Sequence, residues 1–295
     1  MKILMISSYL PYPLHSGGQV RLYNLIKELS DKHEITLICE KRPHQTEDDV
    51  VALEKICTKV ITVPRRKQWS LSNIAKSATS SSSFLVTGHT SRQMQEKIET
   101  LLRSEKFDLI HVETFYVLQN LVASATYQSS PLPTVLVEHN IEYQVYKRFM
   151  NRAPRPMRPL LAIDIAKIQK EEEAAWQQVT KVVAVSTRDK EVIEQTGLKP
   201  ALVANGVNLD QFSFQDSTSS STSTVRNTKK VLFIGDFAWL QNRDSVEFII
   251  QEIWPLIRSK FKVTLWIVAR RIPDSIRNFT DDKDVIFDEE SSAKK

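Results

Sequence analysis

The sequence predicts an α/β protein built on a parallel sheet with helices on both faces, and three observations carry that prediction. Short apolar runs of strand length recur along most of the 295 residues. Stretches with helical spacing separate them, and each interval is long enough for the crossover that parallel strands require. With 41% apolar and 25% charged positions, the chain also has enough apolar mass for one or two packed cores.

The first apolar run, Lys2 to Ser7, has the composition of a strand buried on both faces. A proline-rich loop follows, and Gly17-Gly18 opens a helix in which Val20, Leu22, Leu25, Ile26 and Leu29 recur at helical spacing. Ile35 to Cys39 is the next strand, Val50 to Ile56 a helix and Val60 to Val63 a strand, giving β-α-β-α-β. Further strands are expected at Leu109 to Val112, Val135 to Val137, Val182 to Val185 and Leu202 to Ala204. A long helix is expected over Leu160 to Val179, where Glu171-Glu172-Glu173 reads as a solvated face rather than a metal site.

Two stretches interrupt the pattern. Ser77 to Ser83 and Asp216 to Thr228 are dominated by Ser and Thr, a composition that cannot order itself by burial. The second is the better linker, since Lys230 to Ile234 restarts a strand, Ser245 to Ile257 reads as a helix, and Val263 to Val268 and Val285 to Phe287 are strands. The expected division is residues 1–215, a 216–228 connector and a second unit over 229–295. An independent α/β domain usually takes roughly 100–150 residues, so the second unit reads as half a doubly wound sheet, completed by a partner chain or truncated.

Lys and Arg number 40 and Asp and Glu 35, a net charge of +5 that is too small and too dispersed to imply nucleic acid. No apolar run approaches the roughly 18 residues of a membrane span, and the opening is too soon broken by prolines for a secretory signal. A cytoplasmic location is the expectation. Cys39 and Cys57 lack a CxxC or a nearby His, against a disulfide framework or a zinc site. Arg65-Arg66-Lys67 beside Trp69 could touch phosphate or the membrane periphery, although three charges in a loop ordinarily face solvent.

Gly17 and Gly18 fall where a strand's carboxyl end meets a helix amino terminus, the place where open α/β sheets bind ligands and backbone N–H groups suit an anion. A tight turn alone would also account for them. Glu40 lies where a dinucleotide fold would put its ribose carboxylate, but the G-x-G-x-x-G spacing is absent. Alternation puts His111 and Glu113 on one side of a strand end, and Glu138, His139, Asn140 and Glu142 crowd the end of the following strand. Two polar clusters at successive strand ends point to a shared ligand-binding rim. Ser186 and Asp189 form a helix-capping pattern, and Asn205-Gly206 reads as a turn at positive φ.

In order and spacing, these pieces resemble the GT-B glycosyltransferases, specifically glycosyltransferase family 4. The resemblance rests on the glycine pair, the H-N-x-E at His139 to Glu142, the V-S-x-x-D at Val185 to Asp189, the N-G-V-N-x-x-x-F from Asn205 and the F-x-G ending at Gly235. It implies two facing Rossmann-like domains, the first binding the acceptor and the second, here incomplete, a nucleoside diphosphate sugar. It further implies hexosyl transfer to a glycan or lipid-linked hydroxyl with anomeric retention, without metal or other cofactor. Carried over residue by residue, Glu113, Glu138 and His139 would be catalytic. Gly17, Gly18, Asn140, Glu142, Ser186, Asn205, Gly206, Gly235 and Arg243 would bind donor or acceptor. Family members often have a histidine where Glu113 stands, and no basic pair marks the diphosphate site near Gly235, although Arg270 and Arg271 lie in the same unit. The alternative is a non-catalytic or split subunit that needs a partner chain, and a sugar-nucleotide epimerase shares the architecture.

Overall fold

The computed structural model describes residues 1–67, 70–207 and 229–289. The chain divides into two compact units, Met1–Phe212 and Ser213–Lys295. The Ser/Thr-rich connector expected over 216–228 lies outside the described residues.

The first unit runs β1 (Lys2–Ser7), α1 (Gly17–Ser30), β2 (Glu34–Lys41), α2 (Glu47–Glu54), β3 (Lys59–Pro64), α3 (Leu71–Thr79), α4 (Phe84–His89), α5 (Arg92–Ser104), β4 (Leu109–Glu113), α6 (Phe115–Val122), α7 (Ala125–Ser129), β5 (Thr134–Glu138), α8 (Glu142–Arg152), α9 (Arg158–Gln177), β6 (Lys181–Ala184), α10 (Thr187–Glu194) and β7 (Ala201–Leu202). All seven strands are parallel, in the order β3-β2-β1-β4-β5-β6-β7. Alternate residues of the strands feed two cores. Ile3, Met5, Ile35, Leu37 and Cys39 pack with α1 and α2 on one face. Leu4, Ile6, Ile38, Ile110, Val112 and Leu136 pack with α5, α6 and α9 on the other. Burial on both faces explains why these strands are continuously apolar rather than alternating.

Helix starts follow local chemistry. Ser16 accepts the Gln19 N–H at the start of α1, Ser91 caps α5 and Ser186 caps α10, accepting from the Asp189 N–H. The stretch expected to be unstructured, Ser77 to Ser83, is instead ordered. Ser77 lies in α3 and donates to Asp164 Oδ1 at 3.3 Å, while Ser83 caps α4 and is fully buried. Hydroxyls that cannot supply apolar burial here supply hydrogen bonds to helix termini and to α9. The expected strand Leu202 to Ala204 is shortened to Ala201–Leu202, with one further bond from Val203 N to Ala184 O at 2.9 Å.

The second unit runs β8 (Lys229–Asp236), α11 (Leu240–Phe248), a π-helical turn (Ile249–Ile253), α12 (Trp254–Arg258), β9 (Val263–Arg270), α13 (Asp274–Arg277) and β10 (Val285–Glu289). Pro255 has no N–H to return along the helix, which accounts for the widened turn just before it. Its parallel sheet has the order β10-β9-β8. Val246, Ile250 and Trp254 cover Leu265, Ile267 and Ala269 on one face. On the other face Leu232 and Ile234 are exposed, Ile234 by 71%.

Candidate functional site

In the first unit the chain winds outward from β1 through β2 to β3, then from β4 the opposite way through β7. The switch point therefore lies between β1 and β4, where Ser7 pairs with Glu113. At this carboxyl edge Glu113, fully buried, accepts from His111 Nε2 at 2.6 Å through one carboxylate oxygen and from His139 Nε2 through the other. Burial alone would raise its carboxyl, but the hydrogen bonds and charges of the two histidines outweigh it and hold it well below the usual range. Because an ionised carboxylate only accepts, both imidazoles carry a proton on Nε2, which leaves the Nδ1 of His139 turned to its other surroundings.

The residue after Glu113 marks the same place. Thr114 sits at φ 73°, a left-handed conformation that a β-branched residue enters only at a cost of about 1–3 kcal/mol. Tyr9, from the loop after β1, lies between this cluster and α1. Burial raises its hydroxyl pKa, Glu113 and Tyr116 raise it further, and Arg21 opposes them. A Cβ on Gly18 would stand 3.0 Å from the Tyr9 Oη, whereas one on Gly17 would meet nothing within 4 Å. Gly18 thus packs tightly against Tyr9, and Gly17 is exposed at the start of α1.

His139 and Glu113 are joined, and Glu142, at the start of α8, lies close enough for His139 to act on its charge. Desolvation raises the Glu142 carboxyl to about 7, and His139 lowers it. Asn140 is exposed between them. Glu138 does not join this group. It is fully buried, takes a hydrogen bond from Trp176 Nε1 at 2.9 Å, and is pushed upward by desolvation and by Glu172. β5 ends at Glu138, whose side chain turns to Trp176, whereas His139, in the bend that follows, turns to Glu113.

Ser186 stands at the end of β6, its hydroxyl committed to Asp189 Oδ2 at 2.7 Å. The expected positive-φ turn at Asn205-Gly206 is not formed. The left-handed glycine of the described residues is Gly197, φ 84°. Asn205 instead accepts from Arg21 at 2.7 Å, and the same guanidinium reaches the carbonyls of Val203 and Ala204, so residues 203–205 are laid along α1. Gly206 has open space around it.

In the second unit Gly235 packs between Phe233 and Asn242, and Arg243 donates from Nε to the Phe237 carbonyl at 2.5 Å. Arg271 is committed to Asp236 through two hydrogen bonds.

The partners of two acidic residues went unread in the sequence. Glu40 takes His89 at 3.1 Å and Arg65 at 3.6 Å, and Arg65 also reaches the Ser8 carbonyl, so Glu40 is a buried ion-pair partner rather than a ribose ligand. Glu172 is fully buried and accepts the backbone N–H groups of Glu142 and Tyr143 at 2.8 and 3.0 Å, capping α8 from α9. The acidic run is therefore not wholly solvated. Its signal was present in the spacing, since Glu172 shares a helical face with Ile165, Ile168 and Ala175.

Among the described residues no helix is long and apolar enough to cross a membrane. A doubly wound parallel sheet with a polar cluster at its switch point, followed by a second parallel α/β unit, is an α/β architecture of GT-B type. The family model described as Glycosyltransferase Family 4 matches residues 15–211, about two thirds of the chain, and the chain belongs to that family. No curated protein matches the sequence.

Among solved structures, sucrose-phosphate synthase from Thermosynechococcus elongatus is similar with a TM-score of 0.63 at 12% identity, over 98% of this chain and 70% of that one. The UDP-GlcNAc 2-epimerase from Neisseria meningitidis, bound to UDP-GlcNAc, has a TM-score of 0.53 at 15% identity, over 98% and 72%. A UDP-glucosyltransferase from Polygonum tinctorium capable of glucosylating indoxyl has 0.52 at 9%, over 98% and 70%. At these identities the structural likeness establishes the fold. The family match establishes a glycosyltransferase and does not favour a non-catalytic subunit.

Proposed function

We propose that the chain transfers a hexosyl group from a nucleoside diphosphate sugar to a hydroxyl of a glycan or lipid-linked acceptor, with the anomeric configuration retained. The observation that carries this reading is the His139–Glu113–His111 chain at the switch point, beside the amino terminus of α1. The acceptor oxygen bonds the anomeric carbon, the bond from that carbon to the diphosphate breaks, and its electron pair leaves with the nucleoside diphosphate. Glu113 fixes the His139 ring, so that Nδ1 takes the hydroxyl proton. The start of α1, with Gly17 exposed and Gly18 pressed on Tyr9, offers N–H groups to developing negative charge. Neighbours solved with UDP-GlcNAc or named for UDP-sugar chemistry support a nucleotide-sugar donor.

A transfer assay on the purified chain, with labelled UDP-, GDP- and dTDP-sugars and glycan or polyprenyl-linked acceptors, tests the reading. Product formation from one donor class, strongly reduced by His139→Ala in a folded variant, is expected. Folded protein that neither binds nor turns over any donor would overturn it.

A further inference from the structure

We propose that the face formed by α3, α8 and the first half of α9 docks onto an anionic lipid surface. Large apolar side chains stand in solvent there: Leu71 and Ile74 on α3, Phe149 on α8, and Met157, Leu160 and Ile163 where the chain enters α9, with Leu71 exposed by 86% and Leu160 by 73%. These elements are held together. Ser77 of α3 donates to Asp164, and Lys167 Nζ donates to the carbonyls of Ser77 and Ser80 at 2.6 and 2.8 Å. Leu160 and Ile163 lie one turn before Asp164 and Lys167 on α9, and Ile74 lies one turn before Ser77 on α3. The exposed apolar groups therefore flank one hydrogen-bonded seam. On the side of α8, Arg158 binds the carbonyls of Asn151 and Ala153.

Charge identifies the occupant. Residues 143–163 contain Lys147, Arg148, Arg152, Arg155 and Arg158 and no Asp or Glu. Residues 66–83 contain Arg66, Lys67 and Lys76, again with no acid, whereas Arg65 is turned inward to Glu40. The rest of the chain mixes both signs, and the 295 residues as a whole carry 40 basic against 35 acidic side chains. Basic side chains interleaved with exposed leucine, isoleucine and phenylalanine match a headgroup layer, in which cations meet lipid phosphates and apolar groups enter the acyl boundary. A polyanion such as RNA accounts for the basic residues but gives no reason for the exposed aliphatic ones. The inference goes beyond the transfer reading and is measured without it.

The test is sedimentation of the full chain with vesicles of phosphatidylcholine alone or mixed with phosphatidylglycerol. Binding to the anionic vesicles that weakens with salt, and little to phosphatidylcholine, is expected. Two variants, Leu71→Ser with Leu160→Ser and Ile163→Ser, and Arg148→Gln with Arg155→Gln, alter exposed positions, and circular dichroism melts check that they fold. Each should lower partitioning more than about tenfold. Absence of vesicle binding, unchanged partitioning of both folded variants, or retention on RNA without vesicle binding would overturn the proposal.

Discussion

His139 donates through Nε2 to Glu113 across 26 positions of sequence, and His111 holds the other carboxylate oxygen. One buried carboxylate therefore sets the ring orientation of the residue that projects from the end of β5. His139→Ala should lower turnover by about 10²–10⁴-fold. Glu113→Gln should reduce turnover more than it changes KM, because it loosens the ring without removing it. Steady-state kinetics on the donor identified by transfer assay would decide, and wild-type values in both folded variants would exclude the pair from the chemistry.

The same carboxylates give stability a two-sided pH dependence. Glu113 binds its proton less readily when folded, so its contribution is present at neutral pH and lost as pH falls below the unfolded carboxylate value through its depressed folded one. Glu142 has the opposite sign. Its folded carboxyl keeps its proton up to about 7 against 4.5 unfolded, so stability declines as pH rises across that window. In thermal melts, Glu113→Gln should flatten the acid limb and Glu142→Gln the decline toward neutrality. Curves parallel to wild type would contradict both assignments.

Neighbouring glycines at the head of α1 should respond differently. Gly18→Ala would press a Cβ against the Tyr9 hydroxyl at 3.0 Å, costing about 1–3 kcal/mol. Gly17→Ala meets no atom within 4 Å and should be neutral or stabilising by up to about 1 kcal/mol. Denaturant unfolding of the two single variants checks the order, and equal effects would show that the Tyr9 contact is not the constraint.

Arg21 spans from α1 to the carbonyls of Val203 and Ala204 and to the Asn205 side chain. Arg21→Ala should release this segment and speed protease cleavage after Leu202 several-fold, while thermal stability falls by only about 1 kcal/mol, since these bonds are partly solvated. Unchanged cleavage would mean that the segment is held by other contacts.

The local pattern of the sequence was sufficient for the strands of the first sheet, for the helix opening at Gly17 and for the two polar strand ends at Glu113 and His139. Continuous apolar runs and turn residues act over a few positions and leave a direct signature. It was not sufficient for partners chosen across long intervals. Glu172 reads as one member of an acidic run, and only the packing of α9 on α8 gives it two backbone N–H groups to cap. Ser77 to Ser83 lacks apolar content, yet Asp164, Glu171 and Lys167 supply hydrogen bonds that order it. Glu138 and His139 are adjacent in sequence, but the last residue of β5 turns to Trp176 and the first residue of the following bend to Glu113. Sequence specifies which groups are available and how each element folds locally, whereas burial and hydrogen bonding between elements distant along the chain decide which of those groups meet.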